Sequence, residues 1–317
     1  MTAYLDWLGR YLPDLFSESP PNAVDGSTLV MGAAAGYTPL QVKPFIESLR
    51  RYYRGPVTVI VADTDRDLAT YLEGNGVHAL MPQQELGMAG PFGSEIHIAR
   101  YAYYIAWLAR CDPMPSRVLL SDVRDVIIQD DPFSERSAAA LHYYVEQDAR
   151  LGNHATRRWI ADAIGDAMAT ALADRPCICS GIMLGSGAAI QQLCRAVLFL
   201  AAIPRRGVAR SFGIDQAAVN IAAHCGLSPG DIHQNLGHVA TLGIMQRGSL
   251  RVDDAGFVVN PDGSRSAMVH QYDRHPDLLA AIQRHYGAAQ QVASSSSVRK
   301  TVTRLQDGFR RRVPEVR

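Results

Sequence analysis

An α/β fold, a mostly parallel sheet with helices on its faces, is predicted by three features of this sequence. Short apolar runs alternate with segments of helical spacing from Thr28 to Ile128. The runs end in small or acidic residues, as buried strands feeding loops do. The composition, 47% apolar and 20% charged over 317 residues, is that of an ordinary globular protein with a sizeable core.

Taken in order, residues 1–16 read as a short amphipathic helix with Leu5, Leu8, Leu12 and Leu15 on one face, and 17–27 as a connection rich in Pro, Ser and Gly. Thr28 to Gly32 is a buried strand. Thr38 to Tyr53 has helical spacing at Val42, Phe45, Ile46 and Leu49. Val57 to Ala62 is a second strand, Leu68 to Gly74 a helix and Val77 to Met81 a third strand. Ser94 to Arg110 is a strong helix with Ser94 as its cap. Val118-Leu119-Leu120 is the clearest strand and runs into Ser121-Asp122-Val123-Arg124-Asp125. Residues 152–173 read as one Ala-rich helix, and Ile178 to Leu184 as a strand interrupted at Ser180-Gly181. Helices follow over 187–203 and 214–225, then a hairpin over 250–260 and a turn at Asn260. From Gln290 a Ser-rich linker leads into a basic tail, Arg299 to Arg312, suited to a peripheral contact with an anionic membrane surface or to a solvated arm. The division is thus 1–27, 28–288 as the main domain, and 289–317.

Several function classes are excluded or disfavoured. Lys plus Arg equals Asp plus Glu at 31 each, so no basic excess exists to hold a nucleic-acid backbone. No apolar run approaches the roughly 20 residues of a membrane span. The first residues lack a signal-peptide pattern, and the five cysteines have no zinc-ribbon spacing, which together fit reduced thiols and a cytoplasmic protein.

Asp122-x-x-Asp125 at the end of a buried strand is the most informative stretch. Ligands of open parallel sheets gather beyond the carboxyl ends of strands. Two carboxylates there need cations, hydrogen bonds or solvent. A hard cation, Mg2+ or Mn2+, shared with substrate phosphates satisfies them, and so would a cap by Asp122 with Asp125 paired to Arg124 or Arg117. After the first strand, Gly32, Ala33 and Ala34 let the backbone approach a nucleotide, and Tyr37 offers a ring to a base; a tight turn is the plainer reading. Asp63 ends the second strand, where a dinucleotide-binding protein would hold a ribose, although the loop is not G-x-G-x-x-G.

The segment Ser121-Asp122-Val123-Arg124-Asp125 with its tail Ile128-Gln129-Asp130-Asp131-Pro132-Phe133 resembles the metal-binding segment of GT-A glycosyltransferases. Three further segments follow in the expected order. Cys179-Ser180-Gly181-Ile182-Met183-Leu184-Gly185 resembles the strand that lines the donor-sugar pocket of retaining enzymes. Phe212-Gly213-Ile214-Asp215-Gln216 resembles their D-Q helix start, and Val269-His270-Gln271-Tyr272-Asp273-Arg274 the place of a C-terminal metal-binding histidine. The acidic motif is D-x-x-D rather than D-x-D, and Cys179 stands where Asn is more usual. The resemblance implies a GT-A fold and transfer, with retention, of a sugar from a nucleotide-diphosphate donor to an acceptor hydroxyl. It implies Mn2+ or Mg2+ on Asp122, Asp125 and His270, with Mn2+ favoured by the imidazole. It implies Arg100 and Arg274 near the diphosphate, Ser180 and Gly181 on the sugar, and Asp215 at donor or acceptor. A nucleotide-sugar-binding module without turnover and a sugar-nucleotide nucleotidyltransferase are the alternatives.

Overall fold

The computed structural model describes residues 16, 18, 20, 27–82, 96–135, 137–153, 155–201, 213–243, 245 and 249–288. The expected N-terminal helix, the cap at Ser94, Phe212 and the basic tail lie outside them.

The main sheet takes β1 (Thr28–Ala33), β2 (Val57–Ile60), β3 (His78–Leu80), β4 (Arg117–Ser121), β6 (Leu141–Arg150), β7 (Pro176–Gly185) and β8 (Asp231–His233), in the order β3-β2-β1-β4-β7-β6-β8. All its described neighbours are parallel except those involving β7, which runs antiparallel to both β4 and β6. A smaller sheet orders β5 (Val126–Ile128), β12 (Met268–His270) and β9 (Val239–Thr241), and β10 (Arg251–Val252) pairs with β11 (Val258–Val259) as the expected hairpin.

Helices and the smaller sheet cover the two faces of the main sheet, so its central strands are buried on both sides, while the edge strand β8 stays partly exposed. Residues of one strand alternate between two cores: Leu29 and Met31 of β1 join one, Val30 the other. The first core is closed by α3 (Ile96–Leu108), α6 (Gly187–Ala201) and α7 (Ile214–His224). Every residue of α3 from Ile98 to Leu108 is buried, which marks it as a core helix. The second core is closed by α1 (Pro39–Tyr52), α2 (Arg66–Gly74) and the smaller sheet. Helix α1 starts where the sequence indicates: Pro39 occupies the first turn, and the Gln41 side chain accepts the Thr38 N–H at 2.9 Å. Pro44 interrupts the ladder within α1, and Ser48 on the same helix takes the Ile128 N–H at 3.0 Å, tying α1 to β5.

Two expectations need correction. The single helix over 152–173 is a 3-10 turn (Leu151–Asn153) followed by α4 (Thr156–Ile164) and α5 (Asp166–Ala171). Gly165 breaks it, with φ at +89°, a conformation Ala would resist. Strand β7 is continuous through Ser180-Gly181; what is interrupted is its ladder with β6. Partners jump from Met183 opposite Tyr143 to Ile178 opposite Val145, so residues 179–182 bulge out of that pairing. Ile178 and Met183 therefore face the same core, although their numbers differ in parity. Finally, β6, β8, β9 and β12 carry no expectation from the sequence reading. No helix among the described residues is long and apolar enough to cross a membrane. The last helix, α8 (Pro276–His285), follows a 3-10 turn at Tyr272–Arg274.

Candidate metal and ligand site

Two backbone ladders bring the site together before any side chain is considered. At the carboxyl end of β4, Ser121 is opposite Ile182 of β7, and the Asp122 N–H donates to the Gly181 carbonyl at 2.7 Å. Asp122 is thereby fixed beside the bulge. Asp125 immediately precedes β5, whose Val126 pairs with His270 of β12. The Gln271 N–H donates to the Asp125 carbonyl at 2.8 Å, and Gln271 itself is left-handed with φ of +62°. That rare conformation for a residue with a side chain turns the chain directly after His270.

The side chains meet at this junction. His270 Nε2 lies 3.5 Å from Asp122 Oδ2 and 3.8 Å from Asp125 Oδ1. One ligand atom from each of the three residues lies within 4.8 Å of the others, so the group could hold a metal ion. The donor set fits a cation. His270 Nε2 is buried and has no hydrogen-bond partner among the described residues, and the two carboxylate oxygens stand just beyond hydrogen-bond range. His270 Nδ1 faces Cys179 Sγ at 3.4 Å, which fixes the ring and leaves Nε2 turned to the carboxylates.

Arg100 reaches the cluster from α3. Its guanidinium contacts Asp122 Oδ1 at 2.5 Å and Asp215 Oδ2 at 3.1 Å, and it is 9% exposed. The Ser180 hydroxyl donates to the same Asp215 oxygen at 3.3 Å. Arg124 pairs with Asp273 at 3.1 Å, more closely than with Asp125 at 3.9 Å, and lies 5.9 Å from the Tyr37 ring. Arg117 is not a partner of Asp125: it donates to the backbone carbonyls of Phe133 and Glu135.

The electrostatics separate the two carboxylates. Burial pushes the Asp122 carboxyl up, but Arg100 and His270 outweigh it and hold the group well below the usual carboxylate range. Burial is the main cause that pushes Asp125 up; the negative charges of Asp122 and Asp273 add to it, and together they prevail over His270 and Arg124. For His270 burial acts downward, yet Cys179 and the two aspartates prevail and hold its pKa well above an ordinary imidazole. A proton on His270 thus occupies the place that suits a cation.

Of the residues singled out in the sequence, Ala33, Tyr37, Arg100, Asp122, Asp125, Ser180, Gly181, Asp215, His270 and Arg274 line one cavity of about 250 Å³. Gly32, Ala34 and Asp63 do not. Gly32 packs on Val123 and the Ser121 carbonyl, leaving no room for a Cβ. Ala34 is buried in the second core, and Asp63 is exposed. The carboxylate that orders the first loops is Asp65, which accepts the N–H groups of Gly36 at 2.7 Å and Ala62 at 3.2 Å. The sequence reading also missed Gln216 and Gln271, both on the cavity wall. The D-Q pair itself was the available signal for Gln216. A larger cavity, about 860 Å³, opens near the amino ends of β1 and β2, but no residue lining it is acidic.

No protein-family model matches this chain, and no curated protein matches it significantly.

Proposed function

We propose that this chain is a metal-dependent glycosyltransferase of the GT-A kind, moving a sugar from a nucleotide-diphosphate donor to an acceptor hydroxyl with retention. The observation that supports it most is the convergence of Asp122, Asp125 and His270 from distant parts of the chain beside the buried pair Arg100–Asp215. Asp122, Asp125 and His270 would hold Mn2+ or Mg2+, which supplies neutralisation of charge on a diphosphate leaving group. Arg100 is fixed by two carboxylates and is a preorganised cation on the same wall. Arg274, with a half-exposed side chain, stands at the rim and suits the outer phosphate. Ser180 and Gly181 lie where the sugar would rest, and Tyr37 offers its ring to the base. Asp215 Oδ2 is committed to Arg100 and Ser180, so Asp215 orients rather than waits as an unengaged base. That favours retention, which asks for no strong general base on the acceptor.

Thermal unfolding in the presence of nucleoside diphosphates and nucleotide sugars, with and without Mn2+, tests the reading. A rise in melting temperature for one nucleotide family, enlarged by Mn2+, is expected from linkage. A flat response across the panel in folded protein would reject it.

Proton release gives a second check. The pKa of His270 is held well above that of an ordinary imidazole, so the metal-free site carries a proton that a cation must displace. Mn2+ affinity should therefore increase with pH, about tenfold per unit for each proton displaced. Calorimetry at pH 6 and pH 8, in buffers of different ionisation enthalpy, reads this directly. An affinity independent of pH would place the ion elsewhere.

A further inference from the structure

A second group of metal-ligating side chains lies at the other end of the main sheet, in strands the sequence reading did not foresee. Strand β8 is three residues long and pairs parallel with β6, with His142 opposite Asp231 and Tyr144 opposite His233. Because strand side chains alternate, His142, Asp231 and His233 stand on one face of this edge. Their ligand atoms lie within 4.8 Å of one another. None of the three lines the cavity described above.

We propose that His142, Asp231 and His233 form a binding site for a late first-row divalent cation such as Zn2+, which pins the edge strand β8 to β6. His142 Nδ1 and His233 Nε2 face each other at 3.0 Å. Two nitrogens on one Zn2+ at ~2.05 Å stand about 2.9 Å apart at a right angle and about 3.3 Å apart at the tetrahedral angle. The observed separation, now closed by a hydrogen bond between the two rings, falls between these values, so the nitrogens need little displacement; a cation takes the place of the shared proton, and each ring turns to aim its lone pair at it. The second nitrogen of His233 is turned to Glu135, with Nδ1 3.7 Å from Oε2, the outer carboxylate that orients metal-bound imidazoles. Tyr144 stacks on the same ring, 5.4 Å between centroids. The exposed Asp231, now accepting the Ser137 hydroxyl, supplies the anionic ligand and leaves an open side for water. Two imidazoles and one carboxylate favour Zn2+ over Mg2+ or Mn2+, the reverse of the two-carboxylate cluster at Asp122 and Asp125.

Equilibrium titration of the full chain with Zn2+, read by calorimetry and by the visible spectrum of the Co2+ form, tests this. Asp125→Asn isolates the edge site by disabling the other cluster, so this variant should still bind one equivalent. Adding His233→Gln or Asp231→Asn should weaken that equivalent by at least about tenfold, and Glu135→Gln by about 10- to 100-fold. His233 and Asp231 are partly or fully exposed, and thermal unfolding of each variant without metal verifies the fold. Zn2+ binding unchanged in His233→Gln and Asp231→Asn, or absent from Asp125→Asn, would overturn the proposal. Neither result bears on sugar transfer, which stands or falls with nucleotide binding.

Discussion

Asp125→Asn is expected to raise the melting temperature of the metal-free protein while reducing metal-dependent turnover at least about 100-fold, the scale of losing one electrostatic stabiliser. The two effects share one cause. Asp125 is buried beside the negative charges of Asp122 and Asp273, and its folded pKa lies above that of an unfolded carboxylate. Below the unfolded pKa, about 3.9, the group is neutral in both states and costs nothing. As pH rises from there the unfolded chain loses its proton first, the folded state is penalised, and the penalty is complete above the folded pKa. Asparagine removes the penalty at neutral pH and has no advantage below about pH 4. In a chain of this size each kcal/mol recovered is worth about 2 °C. Asp122→Asn should act in the opposite direction. Its folded pKa is depressed, with Arg100 and His270 outweighing burial, so it contributes stability above the unfolded pKa that is lost as pH falls through the folded one. Thermal unfolding in chelator at pH 7 and pH 4, alongside turnover in Mn2+, measures both. A melting temperature that falls for Asp125→Asn at pH 7 would show that the site is built for an internal ion pair, not for a cation.

This pairing of cost and use explains which parts of the molecule were legible. Strands β1, β2, β3 and β4 are continuous apolar runs buried on both faces, and their helices carry clear spacing, so alternation alone recovers them. Strand β6 is not such a run: Leu141, Tyr143 and Val145 are buried, but His142 and Glu146 are buried too, through partners on other strands and helices. Nothing local announces those partners. The Ser180-Gly181 irregularity was visible, and its meaning was not, because the strand keeps one neighbour while leaving the other. Asp122 and Asp125 could be marked from the strand they follow. That His270 joins them depends on β12 pairing antiparallel with β5, a register no local pattern encodes; only the order of motifs along the chain pointed to it. The partners of Arg100 illustrate the same limit: Asp122 and Asp215 meet it from two other elements, and neither contact has a local signal.

Gly181→Ala is expected to disrupt the cluster of Asp122, Asp125 and His270 by adding a single methyl. The residue has an ordinary backbone conformation that alanine can adopt, so the effect is steric. A Cβ there would collide with the His270 ring, lying 2.6 Å from Nε2, and would stand 2.8 Å from Asp122 Oδ2. His270 has little room to retreat, since it is 1% exposed and its far side rests on Cys179. Overpacking of this kind costs about 1–3 kcal/mol, and here it also parts the imidazole from both carboxylates. The stabilisation by Mn2+ should vanish in the same variant. A double-mutant cycle with His270→Ala separates this cause from general damage to β7. Removing the ring opens the space that the new methyl needs, and Asp122, with a third of its side chain exposed, can shift aside. Gly181→Ala in that background should then cost only a few tenths of a kcal/mol, a coupling of about 1 kcal/mol or more between positions 181 and 270. Additive losses would instead locate the damage in the bulge itself, and the close approach of glycine and imidazole would no longer account for the identity of residue 181.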